Sequence, residues 1–155
     1  MRLQQWLEEE LIERRSASRE EIKELFGLVD RDLTSAAGEG TVPDWRFIIA
    51  YQAALSLATI LLRAEGYRTL GGAHHYLTFE ALGEIAGPEH AALVKYFQAA
   101  RAKRNAAEYR RAGQIDADQA EELLEKTRQF RAWVVEWLKG HDPALLPEGI
   151  DAPAG

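Results

Sequence analysis

Between Pro43 and Gly66 the chain is apolar almost all the way round a helix, and this stretch limits the available folds more than any other. Phe47, Tyr51, Ala54, Leu55, Ala58 and Leu62 share one face, while Ile48, Ile49, Leu57, Ile60 and Leu61 widen it. A helix without a polar side has to be surrounded by others, so the pattern predicts the central member of a bundle. Pro43 suits the first helical position, where its missing N–H would have no partner, and Gly66 marks the end. The apolar run from Phe47 to Leu62 is shorter than the roughly 20 residues needed to cross a bilayer. It also carries Tyr51, Gln52, Ser56 and Thr59, so it reads as a core helix with no membrane role.

The flanking segments are amphipathic with helical spacing. Leu3, Trp6, Leu7, Leu11 and Ile12 predict a first helix over about 2–15. Ser18 with Glu21 predicts a capping box opening a helix over about 19–36. Thr78 can cap a short helix running to about Ile85, and Gly87-Pro88 opens a segment that reaches about Ala112 before Gly113. Asp116 with Gln119 repeats the capping box for a last helix to about Lys139, with Leu123, Leu124, Thr127, Phe130, Val134, Trp137 and Leu138 facing inward. No run alternates β-branched and polar residues, so a sheet is not expected. The fold class is all-α: a single-domain, antiparallel four- to five-helix bundle over 1–140, followed by a flexible C-terminal tail over 141–155. Trp45, Trp133 and Trp137 are expected to pack rather than to stack on a cofactor.

A chain of 155 residues is long enough for one domain with a real core. It has no cysteine, which excludes disulfides, Cys-ligated zinc, Fe–S clusters and thiol nucleophiles and suits a reducing cytoplasm. The start, MRLQQWLEEELIERR, lacks the apolar core and cleavage site of a signal peptide and is expected to stay on the protein. No metal or cofactor is expected, because zinc needs three or four converging ligands. The net charge of -6 argues against coating nucleic acid through a general positive field.

One segment departs from the acidic background. Residues 95–111 hold Lys95, Arg101, Lys103, Arg104, Arg110 and Arg111 against the single acid Glu108. At 100° per residue the core stripe Leu93, Phe97, Ala100 continues through Arg104, Ala107 and Arg111, with Arg101, Asn105 and Tyr109 beside it. Either the helix end leaves the core and its arginines reach into solvent, or Arg101 and Arg104 grip a phosphate or carboxylate in two-point geometry. Asn105 and Tyr109 strengthen the second reading without closing the first, since donors, an acceptor and a stacking ring suit RNA or a nucleotide. Tyr51, a hydroxyl in the most buried helix, needs a partner, and the arginine face can supply one. His74 and His75 fall in the loop before Thr78 and read as structural hydrogen-bonding groups or as site residues; His90 reads as exposed.

In Asp44-Trp45, Ala50-Tyr51-Gln52-Ala53-Ala54-Leu55, Gly66-Tyr67-Arg68, His74-His75 and Arg101-Ala-Lys-Arg104-Asn105-Ala-Ala-Glu-Tyr109, the chain resembles the HEPN superfamily of small helical bundles. These proteins occur in prokaryotic toxin–antitoxin and defence systems, and the likeness spans about residues 20–135. The resemblance implies a four- or five-helix bundle, a homodimer, an antitoxin or nucleotidyltransferase partner and, in active members, metal-independent RNA cleavage by an Arg-x4–6-His motif. In the version Arg-Asn-x3-His-x-Tyr, Arg104 and Asn105 match, Tyr109 stands in place of His, and Arg111 in place of Tyr. A phenol with a pKa near 10 is a poor general base at neutral pH. The resemblance also lets Tyr67 and Arg68 reach the same site. Three readings follow: an RNA- or nucleotide-binding protein using Arg101, Arg104, Asn105, Tyr109 and Tyr51; an endoribonuclease with an unconventional site, its catalytic candidates Arg104 and Tyr109; and a non-enzymatic adaptor bundle. Whether the chain is an enzyme stays open at this level.

Overall fold

The computed structural model describes residues 2–72, 74–109, 113 and 115–150, with Glu108 and Tyr109 described through their helical backbone alone. Among the described residues six α-helices carry the fold: α1 (Arg2–Glu8), α2 (Arg19–Ala36), α3 (Pro43–Ala64), α4 (His74–Ala86), α5 (Ala91–Tyr109) and α6 (Ala117–His141). Short 3-10 turns at Pro88–His90 and Pro143–Leu145 complete the helical part. Two three-residue strands, β1 (Ile12–Arg14) and β2 (Tyr67–Thr69), pair antiparallel, with Glu13 opposite Arg68. The architecture is an all-α bundle with this one small addition.

α3 is the axis. It packs most extensively on α2 and α6 and also meets α4 and α5. Phe47, Ala50, Tyr51, Ala53, Ala54, Leu57, Ala58, Ile60 and Leu61 are all at most 2% exposed, which is why no polar side was legible in the sequence. By length and composition the 22-residue helix would suffice to cross a membrane, but 72% of its most apolar window is buried inside the protein. Each large side chain buried here contributes roughly 1.5–3 kcal/mol relative to exposure. Pro43 occupies the first turn, as its chemistry requires. A second, smaller cluster of Leu3, Trp6, Ile12, Leu62, Leu77 and Ala81 seats α1 and β1 against α3 and α4.

Several local expectations are corrected. The first helix stops at Glu8, not near residue 15, because Glu10 turns the chain with a φ of 59° and Leu11 N–H closes on the Trp6 carbonyl at 2.9 Å. Ile12 then buries its side chain from a strand rather than from a helix. Only half of the first capping box forms: Ser18 Oγ accepts from Glu21 N–H at 3.1 Å, while the Glu21 carboxylate is taken by Arg63. Asp116 and Gln119 make both bonds of the second box. α4 begins at His74, so Thr78 is no cap; its hydroxyl donates back to the His74 carbonyl at 2.6 Å.

Trp133 and Trp137 pack against the core, but Trp45 is 57% exposed. His90 is tucked beside the Trp133 ring, with centroids 4.8 Å apart, rather than exposed. The segment after α6, expected as a loose tail, folds back as far as Ile150. Leu145, Leu146 and Ile150 pack on the core, and Arg19 Nε and Arg131 Nη2 donate to the Leu146 and Ile150 carbonyls at 3.2 and 3.1 Å.

Candidate functional site

The buried stripe of α5 runs from Phe97, 0% exposed, through Ala100 to Arg104, and the next ring inward is Tyr51 of α3. The Arg104 guanidinium lies 5.6 Å from the centroid of that ring, where the negative face of the π-system attracts a cation. Its Nη1 donates to Asn105 Oδ1 at 3.2 Å, so Asn105 orients the arginine from the adjacent position. Phe79 stacks on Phe97 and tilts against Tyr51, forming an apolar floor beneath the cation.

Tyr51 is fully buried, and its hydroxyl is 2.9 Å from Nδ1 of His75. Burial pushes the phenol up to about 12, and the positive fields of Arg104 and Arg101 pull it only partly back, so it stays protonated at neutral pH. His75 sits in the first turn of α4, half-buried. Desolvation lowers its pKa first, and Arg104, His74 and Arg101 lower it further, so the imidazole is neutral at pH 7. The start of α4 is fixed from outside the helix as well: Thr69 Oγ1 on β2 and Nδ1 of His74 are 2.6 Å apart.

Arg101, half-buried one turn before Arg104, is held by neutral groups. Its Nε donates to Gln98 Oε1 at 3.0 Å, and its guanidinium lies 5.7 Å from the centroid of the 43%-exposed Tyr76 ring. Gln98 in turn donates to the Tyr76 carbonyl and to Glu80 Oε2, both at 3.0 Å, which ties α5 to α4. Nη1 and Nη2 of Arg101 make no hydrogen bond to a described residue. A surface groove of about 410 Å³ between α4 and α5 is lined by Glu80, Gly83, Glu84, Val94, Lys95 and Gln98, among others, so Gln98 joins it to the arginine face.

Of the residues picked out from the sequence, Tyr51, Arg101, Arg104 and Asn105 therefore come together. The side chains of Tyr109, Glu108, Arg110 and Arg111 lie outside the described residues. Tyr67 and Arg68 turn elsewhere: Arg68 pairs with Glu13 at 2.6 Å, and Tyr67 lies under Arg14. Asp44 serves the frame, accepting from Gly113 N–H at 2.6 Å and Ile115 N–H at 3.3 Å and thereby tethering the α5–α6 connection to α3. Sequence reasoning missed Gln98 and Tyr76. Gln98 was within sight as the residue three positions before Arg101 on the same helix, but nothing in the pattern marks Tyr76. Among the described residues no cluster of three His, Asp or Glu side chains could hold a metal ion.

Chemically, the arrangement presents two guanidinium groups and a neutral imidazole on an aromatic floor, with an exposed ring at its edge. Comparisons with curated proteins and with solved structures gave no match. The model of the SAV_6107-like HEPN family matches residues 37–135, a span that includes Tyr51, His75, Tyr76, Gln98, Arg101, Arg104 and Asn105. The match covers more than half of the chain, and the bundle belongs to the HEPN superfamily in its SAV_6107-like family.

Proposed function

We propose that this HEPN protein binds RNA or a nucleotide through the arginine face of α5. The observation that carries the reading is Arg101. Among the described residues this half-buried guanidinium is anchored by a glutamine oxygen and an aromatic ring alone, which keeps its two-pronged end for an outside anion, and phosphate matches that geometry. Arg104, set on Tyr51 and oriented by Asn105, adds a second positive charge one helical turn away. The exposed Tyr76 ring beside Arg101 favours a nucleotide or RNA strand over bare phosphate, because a base can stack where its phosphate is held. The acidic remainder of the chain confines such binding to this face. The neutral partners of Arg101 weigh against the adaptor reading, which calls for internal carboxylates.

The test is binding of a labelled single-stranded RNA and of ribonucleotides to the wild type, Arg101→Ala and Arg104→Ala. The wild type should bind, each variant should bind more weakly, and each should lower the slope of log affinity against log salt by about 0.7, the value for one single-strand phosphate contact. Equal and negligible binding by all three proteins sinks the proposal.

A second reading, metal-independent RNA cleavage, is favoured by one placement: His75 stands beside Arg104 although the α5 motif has no histidine. Guanidinium groups stabilise the charge that develops on phosphorus. RNA left intact over hours by protein that binds it would remove this reading and leave the first. The superfamily supports extending the proposal to a cytoplasmic homodimer in a toxin–antitoxin or defence pathway with an antitoxin or nucleotidyltransferase partner. Sedimentation of the purified chain and co-purification with its genomic neighbour test that extension.

A further inference from the structure

His75 is not part of the α5 motif, and its geometry gives it a defined chemical form. Tyr51 is 0% exposed, and among the described residues its hydroxyl has one hydrogen-bond partner, Nδ1 of His75. A buried phenol that accepted a proton from Nδ1 would leave its own O–H with nothing to donate to, at the cost of an unsatisfied buried donor. The bond therefore runs from the Tyr51 hydroxyl to Nδ1. That direction fixes the neutral imidazole with its proton on Nε2, and Nε2 makes no hydrogen bond to a described residue. The half-buried ring thus offers a single outward donor whose tautomer is set from behind by α3.

We propose that His75 is a third phosphate donor of the arginine face, presenting Nε2–H to the anion that Arg101 and Arg104 hold. The inference rests on the anion-binding reading above and adds to it a residue from a different helix. The groups acting on the ring are Tyr51 from α3, Arg101 and Arg104 from α5, and His74 from α4 itself. Three of these are positive or can become so, and among the described residues none is acidic. In the empty site this surrounding disfavours the imidazolium. A bound phosphate reverses the local field, so anion binding and proton uptake by His75 become linked. Affinity for phosphate then rises as the pH falls below neutrality, and bound phosphate moves the titration of His75 upward.

Proton–nitrogen correlation spectra of the full-length protein, labelled in histidine and arginine, test this with inorganic phosphate and a short single-stranded oligoribonucleotide as probes. In the free wild type His75 should show the Nε2–H tautomer, and Tyr51→Phe should abolish that preference. Either probe should shift the Arg101, Arg104 and His75 signals together and raise the pH at which His75 titrates. His75→Ala should bind about tenfold more weakly, as expected for one hydrogen bond to a charged group, and His75→Gln, which keeps a donor, should recover part of the loss. Arg104→Ala should lose binding while retaining the Nε2–H form. An Nδ1–H tautomer in the wild type overturns the proposal. Probes that move both arginines but leave His75 unmoved overturn it too, while sparing the anion-binding reading. Probes that move none of the three overturn both.

Discussion

The hydroxyl of Tyr51 and Nδ1 of His75 meet at 2.9 Å across the α3–α4 contact, and this bond couples the most buried helix to the imidazole beside Arg104. Tyr51→Phe keeps the ring on which Arg104 and Phe79 rest and removes only the donor. The expected loss is about 1 kcal/mol, typical of one intramolecular hydrogen bond. Urea denaturation followed by circular dichroism measures it; unchanged stability would mean that the hydroxyl has an equivalent partner in solution.

The same histidine makes stability depend on pH. His75 has a folded pKa below its ordinary 6.5, so between the two values the unfolded chain binds more protons than the folded one. Its contribution is fully present above 6.5 and is lost as the pH falls through the depressed folded value. His75→Gln should flatten this part of the stability curve. Denaturant midpoints taken at half-unit pH steps for both proteins give the comparison, and parallel curves would count against the burial of the ring.

The sequence made α2, α3 and α6 readable, α2 and α6 by a long periodic face and α3 by being apolar almost all round, each bounded by strong punctuation: Ser18, Pro43 with Gly66, and Asp116 with Gln119. β1 and β2 were not readable. Three residues give no period, and their pairing depends on a partner across α2 and α3 that only the folded chain supplies. Arg101, Arg104 and Asn105 were readable as a group because a helix repeats, so cations at core positions stand out. The placement of His75 was not, since it turns on α4 beginning at His74 instead of Thr78, a shift that rotates which residues face α3. Arg63 is the plainest omission, because an arginine near the end of an apolar helix looks like a solvent-reaching cap.

Arg63 is in fact 6% exposed and spends its donors on the chain around it. Nε and Nη2 hold the Glu21 carboxylate at 2.5 and 3.1 Å, while Nη1 and Nη2 reach the carbonyls of Arg15, Tyr67 and Ser16. One side chain thus clips the β1–α2 linker and β2 to the end of α3. Arg63→Ala leaves three carbonyls and a carboxylate without their donor and should cost about 1–3 kcal/mol, the usual penalty for leaving hydrogen-bonding groups unsatisfied. Arg63→Lys, a point charge without the fork, should recover only part of it. Thermal and urea unfolding of the two variants check the ranking, and equal stability of Lys and Arg would show that charge alone matters.

Glu21 gives that clip a pH signature. Its hydrogen bond to Arg63 holds the carboxyl below its ordinary 4.5, outweighing desolvation. Stability from the pair is therefore present above 4.5 and is lost as the pH falls through the lower folded value. Because the Glu21 side chain is 38% exposed, the effect is screened and should shrink in high salt. Glu21→Gln keeps an acceptor for Arg63 and should remove the acid-limb dependence; an unaltered acid limb would assign it to other carboxylates.

The segment after α6 is the last place where packing can be tested directly. Arg131 holds Asp30 through Nε at 2.7 Å and Nη2 at 3.2 Å, and the same Nη2 donates to the Ile150 carbonyl at 3.1 Å. Ending the chain after Asp142 leaves the Asp30 pair in place but strips away Leu145, Leu146 and Ile150, which are only partly buried against the core. Partial burial contributes less than a full core side chain, so the three together should be worth roughly 2–3 kcal/mol. A fall of several degrees in melting temperature with unchanged helix content is the expected result. The truncation should also leave the arginine face intact, since the described contacts it removes, those of Leu145, Leu146 and Ile150, lie on the core and on Arg19 and Arg131, so RNA binding at a temperature where both chains are folded should match the wild type. A truncated chain that melts with the full one would mean that these contacts contribute nothing in solution.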